Sequence, residues 1–398
     1  MTPFFKEHRN GFAAALLGIL LTGCGTLDTV SGWVGMGGDK AKARPTELVD
    51  FKATLSVQRA WEVQIGSAGV YVFAPDSDAL AVYVAAADGQ VAGLDRASGQ
   101  SRWRVSVGQR LSAGVAVGEG LVVVGTPKGQ ILALRASDGS LAWTAQLSGE
   151  ILARPRVHAG AVYARSSDGR VYKLGIKDGK VLWAYSRSLP ILTLREPGSL
   201  FVDAQAVYAG HAGGRLTALS QENGAPLWEA NVTLPRGATE LERIADVLGT
   251  LAVEGRQICA AAYQGRVACF DRGNGNLLWA REWAAGRGVA MDDRSVYGVD
   301  AESVLQAFER QRGVSPWKQD KLRHRQAGTP LALNEQVIVG DYQGQIHMLN
   351  RLDGAFAARV ATDGSPMRGE LLPLPQGFVA QTANGGIYAF KLDKLDKP

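Results

Sequence analysis

Three cysteines and five histidines are the most reactive side chains in this 398-residue chain. Cys259 and Cys269 flank the Gln264-Gly265 turn, so a hairpin there would set them near each other on paired strands. Two outcomes fit that placement: a cross-strand disulfide in an oxidising compartment, or two buried thiols packing as small apolar groups. His158, His211, His324 and His347 show no metal-ligand spacing and pair with no Ser or Cys motif of nucleophilic catalysis. His211 lies in the Gly210–Gly214 turn region, and the acidic pair Asp292-Asp293 sits beside another turn. Asp95, Asp138, Asp168 and Asp271 also fall in or beside turns, where a carboxylate satisfies local backbone N–H groups. The pattern predicts no catalytic residue, no metal and no cofactor, hence a protein that is not an enzyme.

The third cysteine belongs to a different kind of segment. Lys6 and Arg9 precede an apolar run from Phe12 to Leu21, which ends in Leu21-Thr22-Gly23-Cys24. A charged start, a short apolar core and small residues before the cut make a secretory signal, too short to span a membrane. The tetrapeptide resembles the bacterial lipobox, which implies cleavage before Cys24 and acylation of its sulfur. Several acyl chains would hold the mature protein on a membrane without crossing it. Gly25, rather than aspartate, follows the cysteine; by resemblance to sorted lipoproteins this implies the outer membrane. The expected organisation is a signal peptide over 1–23, a lipidated cysteine and flexible tether over 24–50, a folded body over 51–392 and a polar tail over 393–398. A tether of that length spans roughly 25–30 Å r.m.s.. Without Lys6, Arg9 and Glu7 the mature chain has 41 basic and 37 acidic residues, a formal +4. So mild a charge, with no basic stripe interleaved with aromatics, argues against a nucleic-acid partner.

The body is periodic. Trp103, Trp143, Trp183, Trp228, Trp279 and Trp317 recur about every 40 residues, with Trp61 ahead of them. Gly99, Gly139, Gly179, Gly224, Gly275 and Gly313 each stand four residues before a tryptophan of the six. Each copy holds short Val, Tyr and Leu runs separated by Gly paired with Asp, Lys, Ser or Asn, as hairpins require. Three strands are explicit per copy, and a preceding apolar stretch such as Val115-Ala116-Val117 supplies a fourth. Four antiparallel strands in such a period are a propeller blade. A seventh copy carries Ala358 in the tryptophan slot, and an eighth starts at Asn384-Gly385-Gly386 without an outer strand of its own. The predicted fold is therefore all-β: an eight-bladed propeller of four-stranded antiparallel blades, closed by the N-terminal strand around Trp61. The tryptophans are expected to be structural, each ring buried between neighbouring blades.

Function is sought where the repeat slips. From each tryptophan to the next Val-Tyr-type strand the gap is 18 residues after Trp103 and Trp143, 16 after Trp279 and 19 after Trp317. It is 23 after Trp183 and 29 after Trp228. Strand alternation brings both longer links to one face, side by side. The first reads Leu189-Pro190-Ile191-Leu192-Thr193-Leu194-Arg195-Glu196, and the second Leu241-Glu242-Arg243-Ile244-Ala245-Asp246-Val247-Leu248. Apolar residues mixed with Arg and Asp suit a protein-binding patch. The structural alternative has Leu192 and Leu194 plugging the channel while Arg195 pairs with a carboxylate such as Asp246.

The core of the copies, as in Leu94-Asp95 followed by Ser98-Gly99 and Trp103, with Gly-xxx-Trp common to six of them, resembles the tryptophan-docking repeat of quinoprotein-type propellers. Together with the lipobox, the tether and the Pro190-Ile191-Leu192-Thr193-Leu194-Arg195 insertion, it resembles the BamB family of outer-membrane assembly lipoproteins over essentially the whole mature chain. That resemblance implies a non-catalytic subunit of the machine that inserts β-barrel proteins, docked on the periplasmic POTRA domains of the barrel subunit BamA and exposed to unfolded clients. It assigns the contact to Leu192, Leu194, Arg195 and Asp246. Glu196 replaces a common glycine of the family and Leu248 a second acidic residue. Two other functions fit a propeller: a quinone-dependent dehydrogenase, which here lacks a Cys-Cys pair and the long cofactor-covering inserts, and an envelope polymer-binding lipoprotein, which lacks grouped loop aromatics.

Overall fold

A computed structural model describes residues 44–196, 198 and 200–394. The segment expected to be a leader and Cys24, the expected acylation site, lie outside the described residues. Eight four-stranded antiparallel sheets, with no helix among the described residues, form an eight-bladed propeller. Blade 1, for example, runs from the inner strand Asp76–Ser77 through Ala81–Ala85 and Gln90–Asp95 to the outer strand Ser101–Ser106. The middle two strands of each blade are almost wholly buried between neighbours, while the outer strand alternates. Val, Ile and Ala dominate these runs because both faces of a blade are packed. Blade 8 is completed by Leu55–Gln64 pairing antiparallel with Gly386–Lys394, so the N-terminal strand closes the ring as expected.

The tryptophan period has a single mechanical explanation. Each of the seven tryptophans lies on or beside an outer strand and reaches across to the following blade, not to its own. There its Nε1–H donates to a backbone carbonyl (that of Arg96, Ala136, Ile176, Gln221, Arg272, Arg310 or Arg351) at 2.7–3.1 Å. Its ring lies against the glycine of that blade's third turn, from Gly99 to Gly354, so close that a Cβ would fall 2.4–2.7 Å from ring atoms. Those glycines also hold φ between 66° and 75°, so the turn and the ring demand glycine for independent reasons. Seven junctions are latched in this way.

Blade 8 has no turn between its third and outer strands, because these come from opposite ends of the chain. A tryptophan at position 358 would have nothing to latch onto, and Ala358 stands there. Another device covers that junction. Phe51 stacks on Phe356 with centroids 5.3 Å apart, and the Arg359 guanidinium lies over both rings. Arg325 Nη1 donates to Thr46 O (3.0 Å) and Arg359 Nη2 to Val49 O (3.1 Å). Both arginines rise from a buried cluster in which Arg325 Nε meets Asp341 Oδ2 at 2.7 Å and His347 Nε2 meets the same oxygen at 3.1 Å. Arg359 Nε can only donate, so His347 Nδ1 accepts and Nε2 carries the proton given to Asp341. Burial pushes the His347 pKa below its usual value despite the carboxylate, in keeping with a neutral ring. Residues 44–50, expected to be tether, are therefore held against blade 7, and the compact body begins at Arg44.

Cys259 and Cys269 are directly opposite in register and joined by a disulfide, fully buried within blade 5. Of the two states the sequence left open, the structure has the bridge. For so short a loop the cross-link should contribute about 3 kcal/mol. Alkylation of the denatured, unreduced mature protein is expected to find neither Cys259 nor Cys269 modified; labelling of both would refute the bridge.

Candidate functional site

The two long links join consecutive blades. Residues 186–199 lead from the outer strand Val181–Tyr185 of blade 3 to the inner strand Leu200–Val202 of blade 4. Residues 232–246 lead from Pro226–Asn231 of blade 4 to Val247–Glu254 of blade 5. Strands alternate in direction, so these links share a face with the turns between second and third strands, and their side chains meet there.

The first link is pinned at both ends and bare in the middle. Arg187 pairs with Glu229, and Leu189 rests on the Gly169 turn of blade 3. Ile191 is 83% exposed and Leu192 43%, an apolar tip in solvent. Leu194 turns back and packs on the core cluster containing Leu248, Val289 and Trp279. Arg195 stays exposed, with Nη2 2.6 Å from Glu150 Oε1 and its guanidinium 5.6 Å from the centre of the Tyr71 ring. Glu196 lies 3.8 Å from Arg287. The tip therefore points outward at Leu192 and inward at Leu194, and Arg195 pairs with Glu150 rather than Asp246.

The second link is built on a tight turn. Glu242 accepts the N–H groups of Ala238 and Thr239 at 2.8 and 3.1 Å, and Thr239 Oγ1 accepts the N–H of Glu242. These backbone donors hold the Glu242 carboxyl below its usual pKa. Leu241 is exposed above this turn, while Ile244, Ala245 and Asp246 are buried. The Asp246 carboxylate accepts Leu194 N–H at 2.7 Å and Gly213 N–H at 3.2 Å. It thus ties the first link to a turn of blade 4, and at 7% exposure it offers little surface of its own. Leu248, where the family resemblance led to the expectation of a second acidic residue, is buried beside Leu194.

A cavity of about 270 Å³ lies beneath the first link, walled by Leu189, Thr193, Leu194, Arg165, Ser166 and Asp246 among others. Arg165 Nη1 is buried there without a partner, and burial draws the guanidinium down to about 10, partly offset by Asp246. Sequence reasoning passed over Arg165, Glu150 and Tyr71. They lie on blades and links of ordinary length, so the slipping repeat gave no signal for them.

The carboxylates that the sequence places in or beside turns are engaged there. Asp292 accepts the N–H groups of Arg294 and Ser295, the Tyr297 hydroxyl and Arg351 Nη1, at 2.8–3.1 Å. Asp95, Asp138 and Asp271 cap their own turns, and Asp168 receives the hydroxyls of Ser148 and Ser166. Among the described residues no group of three His, Cys, Asp or Glu side chains is arranged to hold a metal ion.

Residues 87–319 match the family profile described as "Outer membrane protein assembly factor BamB". A protein of that name from Burkholderia pseudomallei is 40% identical over 351 residues, covering 88% of this chain and 92% of the relative. The chain belongs to the BamB family. The crystal structure of BamB from Moraxella catarrhalis superposes with a TM-score of 0.78 at 25% identity, covering 84% of this chain and all of that one. Quinohemoprotein alcohol dehydrogenase from Comamonas testosteroni superposes with a TM-score of 0.66 at 15% identity, covering 84% of this chain and 76% of that one, a likeness of fold alone. As a BamB-family propeller, the chain is grouped with proteins named as outer membrane assembly factors.

Proposed function

We propose that the chain is a non-catalytic, lipid-anchored subunit of the outer-membrane β-barrel assembly machine, held at the periplasmic side of the membrane by acylated Cys24. In this reading it docks onto the POTRA domains of a BamA-type barrel subunit and aids insertion of β-barrel clients. The observation that carries the docking site is the apolar tip at Ile191 and Leu192 with Arg195 beside it, raised above a regular disc by two consecutive long links. Arginine is enriched among the residues that dominate binding energy at protein interfaces, and the apolar tip beside it supplies surface for a partner to cover. Leu192 and Arg195 would supply the contact. Leu194 sets the tip by packing inward, and Asp246 sets it through the Leu194 N–H. Full-length protein bearing Leu192→Ala, Leu194→Ala and Arg195→Ala should lose co-purification with the barrel subunit. Its disulfide and cooperative melting should persist, because only Leu194 of the three packs on the core. Retained co-purification would remove these links from the docking site.

A further inference from the structure

On the propeller axis lies a cavity of about 290 Å³ whose wall takes residues from all eight blades, from Ala74 of the first to Glu370 of the last. Close approach of inner strands keeps it narrow: a Cβ on Gly288 would fall 2.2 Å from Thr250 N. The wall is unusually basic for an interior. Arg154, Arg156, Arg195, Arg287 and Arg368 line it, against Glu196 and Glu370. Two carboxylates stand behind the wall, Asp76 at 3.8 Å from Arg154 and Glu150 at 2.6 Å from Arg195. Even with these counted, guanidiniums outnumber carboxylates.

The pairing is also incomplete. Among the described residues Arg156 forms no ion pair, and its one side-chain hydrogen bond is from Nε to Leu200 O at 2.8 Å. Arg368 forms none among them either, and its side chain makes a single hydrogen bond there, from Nη1 to Gly69 O at 3.4 Å. Arg154 Nε is buried without a partner. Burial draws Arg156 down to about 10, with neighbouring Arg154 pushing the same way. Burial alone would raise the Glu370 carboxyl, but Arg154 and Arg156 outweigh it and hold it below the usual carboxylate range. A guanidinium carries five N–H donors in a fixed fork suited to oxyanions, so three arginines facing one space leave most of theirs unused. Arg195 and Arg368 are exposed, so the cavity is reached from the face that carries the long links.

We propose that this axial cavity binds a small soluble polyanion, a molecule with two or more phosphate or carboxylate groups, gripped by Arg154, Arg156 and Arg368. The volume equals about ten water molecules at about 30 Å³ each, enough for a ligand of pyrophosphate size. Glu370, at the same wall, weakens the grip and limits it to ligands with more than one negative charge. The inference is independent of the docking reading: its ligand is a small molecule and its principal residues lie on inner strands and their approaches.

Isothermal titration of the full chain with inorganic pyrophosphate at low ionic strength tests it. One site per chain is expected, with affinity falling at least about tenfold in Arg156→Gln/Arg368→Gln and rising several-fold in Glu370→Gln. Absence of binding at millimolar pyrophosphate, or unchanged affinity in the double variant, overturns the proposal. Should the double variant fail to melt cooperatively, the Glu370→Gln result decides alone, and no gain in affinity there is the overturning outcome. Vesicles containing phosphatidylglycerol separate a free anion from a lipid headgroup. Co-sedimentation of the unacylated protein that excess pyrophosphate abolishes would overturn the soluble ligand in favour of the headgroup, and its absence supports the soluble one.

Discussion

Trp143→Ala is expected to destabilise the propeller by about 3–5 kcal/mol, the usual range for deleting a buried tryptophan. The ring is 8% exposed, its Nε1 reaches Ile176 O at 2.8 Å, and its face lies against Gly179. Removing it opens a void between blades 2 and 3 and leaves the Ile176 carbonyl without that donor. Gly179→Ala attacks the same latch from the other side. Its φ of +67° disfavours alanine, and the new Cβ would lie 2.4 Å from the Trp143 ring. In the double variant the collision has no ring to strike, so the two losses should fall short of additivity by about 1 kcal/mol or more. Urea unfolding of the four proteins, followed by far-ultraviolet circular dichroism, gives the comparison. Simple additivity would mean that ring and glycine do not act as one latch.

The latch also shows which parts of the fold were legible in the sequence. Tight turns need glycine and blade junctions need a large ring, so both recur at fixed spacing whatever the neighbouring residues are. Blade count and ring closure followed from that spacing. The partner of each ring did not. Trp143 meets the glycine 36 residues ahead, not the one four residues behind, and only the stacking of successive blades decides between them. The seam between blades 7 and 8 was harder still. Ala358 could be read as a missing tryptophan, but nothing in the apparent tether announced that the Thr46 and Val49 carbonyls, with Phe51 just beyond it, would cover that junction. Segments rich in small and polar residues look alike whether they are free or hydrogen-bonded to a body.

The site divides along the same line. Loop length and apolar content picked out both links, because an insertion into a regular array is a one-dimensional signal. The pairing of charges within the site is a three-dimensional matter. Arg195 finds Glu150 across 45 positions, and Asp246 finds Leu194 across 52. The axial arginines are more extreme, since Arg154 and Arg156 share a cavity wall with Glu370 only because the ring closes. Charge composition cannot reveal such an encounter when a formal charge of only +5 is spread over 398 residues.

On the proposed docking to the barrel subunit, Asp246→Ala should weaken binding by about 10–100-fold although the side chain presents almost no surface to a partner. Its effect runs through the first link. Two backbone N–H groups are held by one ionised carboxylate, and hydrogen bonds to charged groups contribute about 1.5–3 kcal/mol each. Losing the one to Leu194 frees the backbone beside Leu192 and Arg195, so binding must first restore the tip's conformation. Each 1.4 kcal/mol of that ordering is a tenfold loss in affinity. Asp246→Asn keeps one carbonyl oxygen to accept from Leu194 but turns an NH₂ toward Gly213, so an intermediate loss is expected. The alternative, a direct charge contact with a basic partner, makes different predictions. It requires Asn to be as damaging as Ala, and it leaves the free protein unaltered. Hydrogen exchange of the Leu194 amide in the unbound variants discriminates between them. Positioning requires faster exchange in Asp246→Ala than in Asp246→Asn, and slowest in the parent, with no partner present. Equal exchange in all three would assign Asp246 to the contact itself, in spite of its burial.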